Sequence, residues 1–201
     1  MRHATGPVRP TGQWFTSHDG QRWWFDSGAQ ALDFAYTGGM GDGRAAWELL
    51  HTPADLAGWF EGRFDEVTRD VSDRELTDAL GLRAAIARAV TAVSRADAPS
   101  AEDVDVINLF AATPDIPPAL DGGSRQAGRT RARVGQAMSE LAREAVDLLG
   151  PDGRERIREC AADDCQIVFY DESRSNNRRW CSMQRCGNRA KVRAHRARSE
   201  G

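Results

Sequence analysis

The chain has 201 residues, 40% of them hydrophobic and 28% charged, with a formal net charge of −3. That length supports one substantial core, or one core plus a small appendage that needs another source of stability. No stretch approaches the roughly 18 apolar residues of a membrane span, and Met1 to Pro7 has no apolar core of a signal peptide, so a cytoplasmic protein away from membranes is expected.

The first twenty residues, rich in Gly, Pro, Thr and His, read as a flexible arm. Trp23-Trp24-Phe25, the Asp26-Ser27-Gly28 turn and Ala31-Leu32-Asp33-Phe34 then suggest a strand followed by a short helix or a second strand. The glycines from 38 to 43 lack both the Gly-Lys-Ser/Thr ending of a phosphate loop and the dinucleotide-binding spacing, so they read as a plain loop. Thr52-Pro53 is an N-cap before a proline at the first helical position, with Leu56, Trp59 and Phe60 on one face. Ser72 and Glu75 form a capping box ahead of a long amphipathic helix through Leu76, Leu80, Ile86, Val90 and Val93, ending near Asp97. Ser100 opens another helix that Thr113-Pro114 stops. Residues 115–133 are Pro/Gly-rich with room for a short hairpin, and Val134 to Leu149 is a further helix closed by Gly150-Pro151.

All four cysteines lie beyond these helices, as Cys160-x4-Cys165 and Cys181-x4-Cys186. In a reducing compartment two short-spaced pairs are explained by four thiolates closing one tetrahedral Zn2+ site, better than by disulfides. Four thiolates leave no coordination position for water, so the metal is structural. A module of about 40 residues is too small to fold on apolar burial alone, and zinc supplies the missing stability. Residues 156–159 and 166–170 read as two short strands joined by a metal-binding knuckle, and Asn188 to Arg198 reads as a helix with Cys186 at its start. A hairpin knuckle plus a helix N-terminus is a treble-clef arrangement.

Charge is divided unevenly. Residues 160–201 hold nine Arg/Lys and five Asp/Glu, and from Ser173 to Arg198 there are nine basic residues and no acidic one. At about 100 degrees per residue, Arg185, Arg189, Arg193 and Arg196 share one arc, beside a stripe of Met183, Cys186, Ala190, Ala194 and Ala197. Lys191, His195 and Arg198 form a second basic flank. Such a helix suits a nucleic-acid backbone, with Arg174, Arg178 and Arg179 as further phosphate contacts. Other uses of the same arginines are neutralising a Zn(Cys)4 centre of net charge −2 and meeting an acidic protein partner. No catalytic function is expected, because His18 and His51 lack a nucleophile or carboxylate partner pattern.

Phe169-Tyr170-Asp171-x-Ser173-Arg174, Arg178-Arg179-Trp180-Cys181-Ser182-Met183 and Cys186-Gly187-Asn188-Arg189-Ala190-Lys191 together resemble the CGNR zinc finger. Upstream, Leu32-Asp33-Phe34, Thr37, the Leu49 to Leu56 stretch and Ala145 to Leu149 are similar to the ABATE domain, which accompanies this finger in bacterial proteins described as stress-induced transcription regulators. Tyr36 stands where that domain usually has Asn. The resemblance implies an α+β protein in three parts: a flexible arm over residues 1–20, a mainly helical ABATE-like domain with a small sheet or hairpin over 21–152, and a CGNR finger over 153–201. It implies a transcription regulator that binds DNA through the finger. The aromatic-rich N-terminal domain would bind a small effector or a second copy of the chain, with Trp24, Asp33 and Tyr36 as candidate effector contacts; filling the core is the simpler use of its tryptophans. The competing reading is a zinc-stabilised adaptor for protein or RNA, without sequence-specific DNA binding.

Overall fold

A computed structural model describes residues 11–16, 20, 22–38, 40, 47–64, 67–118 and 131–199. His18, most of the glycine-rich loop and most of the 115–133 segment lie outside the described residues. The protein is α+β, a mainly helical N-terminal region with a small hairpin followed by a zinc-finger unit built on a second hairpin.

Strands β1 (Gln13–Thr16) and β2 (Arg22–Phe25) pair antiparallel, with Trp14 opposite Trp24 and Phe15 opposite Trp23. Their period-two alternation buries Phe15, Trp23 and Phe25 and turns Trp14 and Trp24 outward. β1 therefore lies within the segment that composition marks as a flexible arm. A strand of four residues is too short a run for alternation to stand out, and it exists because β2 pairs with it.

Helix α1 (Gln30–Ala35) resolves the choice between strand and helix, and Ala29 offers its N-terminus no side-chain cap. The missing acceptor comes from a distant residue: Glu144 Oε2 accepts from the Ala31 amide at 2.5 Å. The next helices follow their sequence signals. α2 (Pro53–Glu61) and α3 (Asp73–Ser94) start at the Thr52–Asp55 and Ser72–Glu75 capping boxes. α4 (Ala101–Ala111) starts at Ser100, whose hydroxyl accepts from the Asp103 amide. α5 (Val134–Leu149) ends at Gly150. Leu82, Ile86 and Val90 of α3 and Val134, Met138 and Leu141 of α5 fill the core between those helices. α4 is held outside them by Ile107, by Arg88 on Asp103 at 2.9 Å, and by Arg143 and Ser139 donating to the Ala111 and Thr113 carbonyls at its end. Arg143 thus does at a C-terminus what a cap residue does at an N-terminus.

After a single 3-10 turn at Arg154–Arg156, strands β3 (Ile157–Glu159) and β4 (Val168–Tyr170) form the second hairpin, antiparallel with Arg158 opposite Phe169. Here the chain departs from the picture of a core with a separate appendage. Ile157, Val168 and Phe169 are buried in the same apolar cluster as Phe25, Phe34 and Ile86, and the buried cysteines belong to it too. Two polar contacts fasten the seam. Tyr36 Oη donates to the Val168 carbonyl at 2.9 Å and accepts from the Val168 amide at 2.8 Å, and the Tyr170 amide donates to the Ser27 carbonyl at 2.8 Å. Gly28, at φ +83°, lets the chain pass so close to β4 that a Cβ there would overlap the Tyr170 carbonyl oxygen. Tyr36, the departure from the family pattern, is therefore an internal tie and is 1% exposed.

Asp33 is also internal. It is fully buried, with its carboxylate accepting from Ser27 Oγ and the Gly12 amide, both at 2.6 Å. Burial pushes Asp33 from 3.8 up to about 6, and burial likewise pushes Glu144 from 4.5 up to about 7.

Two measurements test this account. Tyr36→Phe leaves the Val168 amide and carbonyl buried without a partner, so unfolding of the zinc-loaded chain in urea should show a loss of about 2 kcal/mol; unchanged stability would remove Tyr36 from the seam. Glu144 binds its proton more tightly folded than unfolded, so its contribution is fully present below about pH 4.5 and is lost as pH rises through about 7. Glu144→Gln keeps an acceptor for the α1 amide but not the titration. The melting temperature of Glu144→Gln minus that of the parent chain, at equal zinc, should therefore rise between about pH 5 and pH 8; a constant or falling difference contradicts it.

Candidate metal centre and basic helix

The β3–β4 knuckle places Cys160 and Cys165, with the Cys160 amide donating to the Ile167 carbonyl at 2.8 Å and the Cys165 amide closing a turn on Ala162 at 2.9 Å. The other pair comes from a loop and a helical start. The Ala161 amide donates to the Arg179 carbonyl at 2.9 Å, which lays the 177–182 loop across the knuckle. From Ser182 the chain makes one wide π turn over Met183–Gly187 before helix α6 (Asn188–Ser199). Both the Cys186 and the Gly187 amides donate to the Ser182 carbonyl, at 3.0 and 3.1 Å.

The four cysteines are unbonded, and their Sγ atoms all lie within 4.8 Å of one another. Cys165 and Cys181 Sγ are 3.8 Å apart and Cys181 and Cys186 Sγ 3.5 Å. Disulfide sulfurs would stand at about 2.05 Å, whereas the edge of a tetrahedron with Zn–S of about 2.3 Å is about 3.8 Å. The donor set fits zinc. Packed this closely, the thiols hold their protons unequally. Hydrogen bonds from Cys165 and Cys181 draw the Cys160 thiol down, while the bond to Cys160 pushes Cys165 and Cys181 up. A dication among them allows all four to be thiolates together. Cys160, Cys165, Cys181 and Cys186 hold one structural Zn2+, which cross-links knuckle to helix and, with four sulfur ligands, activates no water.

The tetrad at 186–189 now has a physical account residue by residue. Cys186 is the ligand. Gly187 stands against the Met183 thioether and the Trp180 ring, which a Cβ would crowd. The Asn188 side chain donates to the Gln184 carbonyl at 3.4 Å, bridging the π turn and α6. Arg189 donates to Cys186 Sγ at 3.2 Å and to Asp164 at 2.8 Å.

The structure sorts the nine basic residues into two groups. Arg178 is a clamp: it donates to the carbonyls of Asp26 and Cys181 at 2.8 and 2.6 Å and lies over the Phe169 ring. Arg189 compensates the thiolate charge. Arg193 joins it on Asp164 at 3.3 Å and reaches Asp163 at 3.8 Å, and Arg185 lies 5.0 Å from the Trp23 ring centroid. Arg174, Arg179, Lys191, Arg196 and Arg198 are exposed. The arc expected for Arg185, Arg189, Arg193 and Arg196 is thus divided, because the π turn breaks the 100-degree spacing and two acidic knuckle residues claim its middle. The alanine stripe also ends early. Ala190 is half-buried, but Ala194 is exposed, as is Val192.

Asp171, quoted in the finger motif without a role of its own, is fully buried and accepts from the Ser173 and Arg178 amides at 2.9 and 2.7 Å. Its Asp-x-Ser spacing is a turn signal that could have revealed it. Asp163 and Asp164 carried no comparable signal. Of the candidate effector contacts, Asp33 and Tyr36 are engaged in the interior and Trp24 alone is on the surface, so the three do not line one site.

The family model for the CGNR zinc finger matches residues 156–199. The ABATE family model, described as "Putative stress-induced transcription regulator", matches residues 28–152, more than half of the chain. The chain belongs to the ABATE family. No curated protein matches it. In this ABATE protein the finger is fixed to the helical region by Tyr36 and Arg178, and no helix among the described residues is long and apolar enough to cross a membrane.

Metal analysis should return about one Zn2+ per chain. Because knuckle and core are one cluster, Cys181→Ser or chelation should lower the melting temperature of the α-helical signal as well as that of the finger. A far-ultraviolet melt that is the same with and without chelator would refute the structural role.

Proposed function

We propose that this regulator contacts DNA through the exposed basic surface of its finger. The observation that carries the reading is the state of α6. Residues 191–196, 198 and 199 are all exposed, and they include Lys191, Arg196 and Arg198. A polar helix of 12 residues whose described side chains beyond Ala190 are exposed gains little from the fold around it. Its guanidinium and ammonium groups instead match a polymer of phosphates, which they would meet with release of counterions. Arg174 and Arg179, exposed in the zinc loop, extend the surface, and Arg185 flanks it. Arg178 and Arg189 hold the surface in shape.

A binding protein fits the residues better than an enzyme does. Among the described residues, the carboxyls with strongly raised pKa, Asp33 and Glu144, are bonded to backbone amides of the fold itself.

The test is affinity for duplex DNA across a salt series. The parent chain should bind with a steep inverse dependence on salt, and replacing Arg196 and Arg198 together by Ala should flatten the log–log slope by about 2 and weaken binding at low salt at least roughly tenfold. Zinc content should be unaffected. Unchanged affinity and slope in that double variant would sink the proposal.

A further inference from the structure

An open groove of about 640 Å3 lies between the β1–β2 hairpin and the zinc loop. Trp24 and Asp26 line one side, and Asn177, Arg179, Trp180 and Met183 the other. Of its two indoles, Trp180 is partly buried against the core and Trp24 lies on the surface. Trp24 is 43% exposed, and Trp14, which meets it edge-on with ring centroids 5.5 Å apart, is 53% exposed. Both point away from the core that Phe15, Trp23 and Phe25 fill on the other face of the hairpin. Trp14 and Trp180 each carry a guanidinium over the ring. Arg22 lies 4.7 Å from the Trp14 ring centroid and Arg179 5.1 Å from that of Trp180. The acidic lining residue, Asp26, has its carboxylate turned to Thr11 Oγ1 and the Gly28 amide, at 2.7 and 2.9 Å.

Flat apolar faces beside guanidinium groups match unstacked bases joined by phosphates. A duplex keeps its base faces against one another and has none to offer an indole. An acidic peptide would satisfy the arginines but leave the indole faces without a flat partner. Arg178 and Arg179 line the groove against one carboxylate, Asp26, so its charge suits a phosphate backbone. We propose that this groove binds single-stranded DNA, stacking unpaired bases on Trp24 while Arg179 meets the phosphates. This deepens the DNA-binding reading and rests on it: the finger's outer helix would hold a duplex while the groove takes a melted or unpaired stretch.

The experiment measures binding of the full zinc-loaded chain to three labelled ligands of equal length: an oligothymidine of about 12 nucleotides, a mixed-sequence duplex and an RNA strand. Trp24→Ala should weaken oligothymidine binding on the order of tenfold and leave duplex affinity unchanged. Trp24→Phe, which keeps a ring, should recover most of the loss, and unchanged melting curves check that the hairpin stays folded. The proposal is overturned if Trp24→Ala leaves oligothymidine binding intact, if it weakens the duplex equally, or if the RNA strand binds more tightly than oligothymidine. Salt-dependent duplex binding that persists alongside a failed Trp24 result removes the groove and leaves the finger's role standing. Binding to none of the three removes both.

Discussion

Strand β4 is the constraint on which the rest depends. Three residues, Val168 to Tyr170, must at once close the zinc knuckle against β3 and complete the core of the helical region. Val168 gives both its backbone groups to Tyr36, Phe169 is fully buried with Arg178 across its ring, and the Tyr170 amide goes to Ser27. These contacts sit on the same three residues that pair with β3 to form the knuckle carrying two of the metal's ligands. A residue such as Phe169 contributes about 1.5–3 kcal/mol through burial alone. Zinc binding and core formation are therefore coupled through the geometry of one short strand. A module that would be too small to fold alone has the neighbouring core to lean on as well as its metal.

What could be read from the chain divides along the same line. Thr52, Ser72 and Ser100 were legible as helix starts because capping is local chemistry, completed within three residues. The stripes of α3 and α5 were legible because burial repeats with the helical period, and the cysteines because two short spacings restrict the metal that fits them. What escaped is made by residues far apart in sequence. Glu144 caps α1 from 113 positions away, and Tyr36 reaches Val168 across 132. Neither leaves a mark on its own neighbourhood. β1 was hidden for a different reason, since its four residues hold too few alternations to register as a strand. At the finger the motif located the site but not the division of labour among its arginines. That division depends on Asp163 and Asp164, which reach Arg189 and Arg193 only once the knuckle is folded.

The electrostatics of the finger follow from having to neutralise its own centre first. Four thiolates around one dication leave a net charge of −2 next to a buried core, a state that is costly without nearby positive groups. Arg189 supplies one directly on Cys186, and Arg178 brings a guanidinium to the Cys181 carbonyl. Asp163 and Asp164 then moderate the inner arginines, so the positive potential is displaced outward to Lys191, Arg196 and Arg198. Counting nine basic residues overstates the available surface, and position along α6 decides which of them face a partner.

That displacement has a structural consequence. The outer half of α6 gains little from tertiary packing, and isolated helices shorter than about 12–15 residues are marginal in water. Its order is therefore inherited from its first turns, where the π turn closes on Ser182, Asn188 bonds to Gln184 and Cys186 is fixed by the metal. Remove the anchor and the helix has neither propensity nor packing enough to persist. The same step dissolves the array that Lys191, Arg196 and Arg198 make along the helix. The metal thus performs no chemistry, yet it sets whether the basic surface exists, because the ligand that closes the coordination sphere is also the residue from which the helix grows.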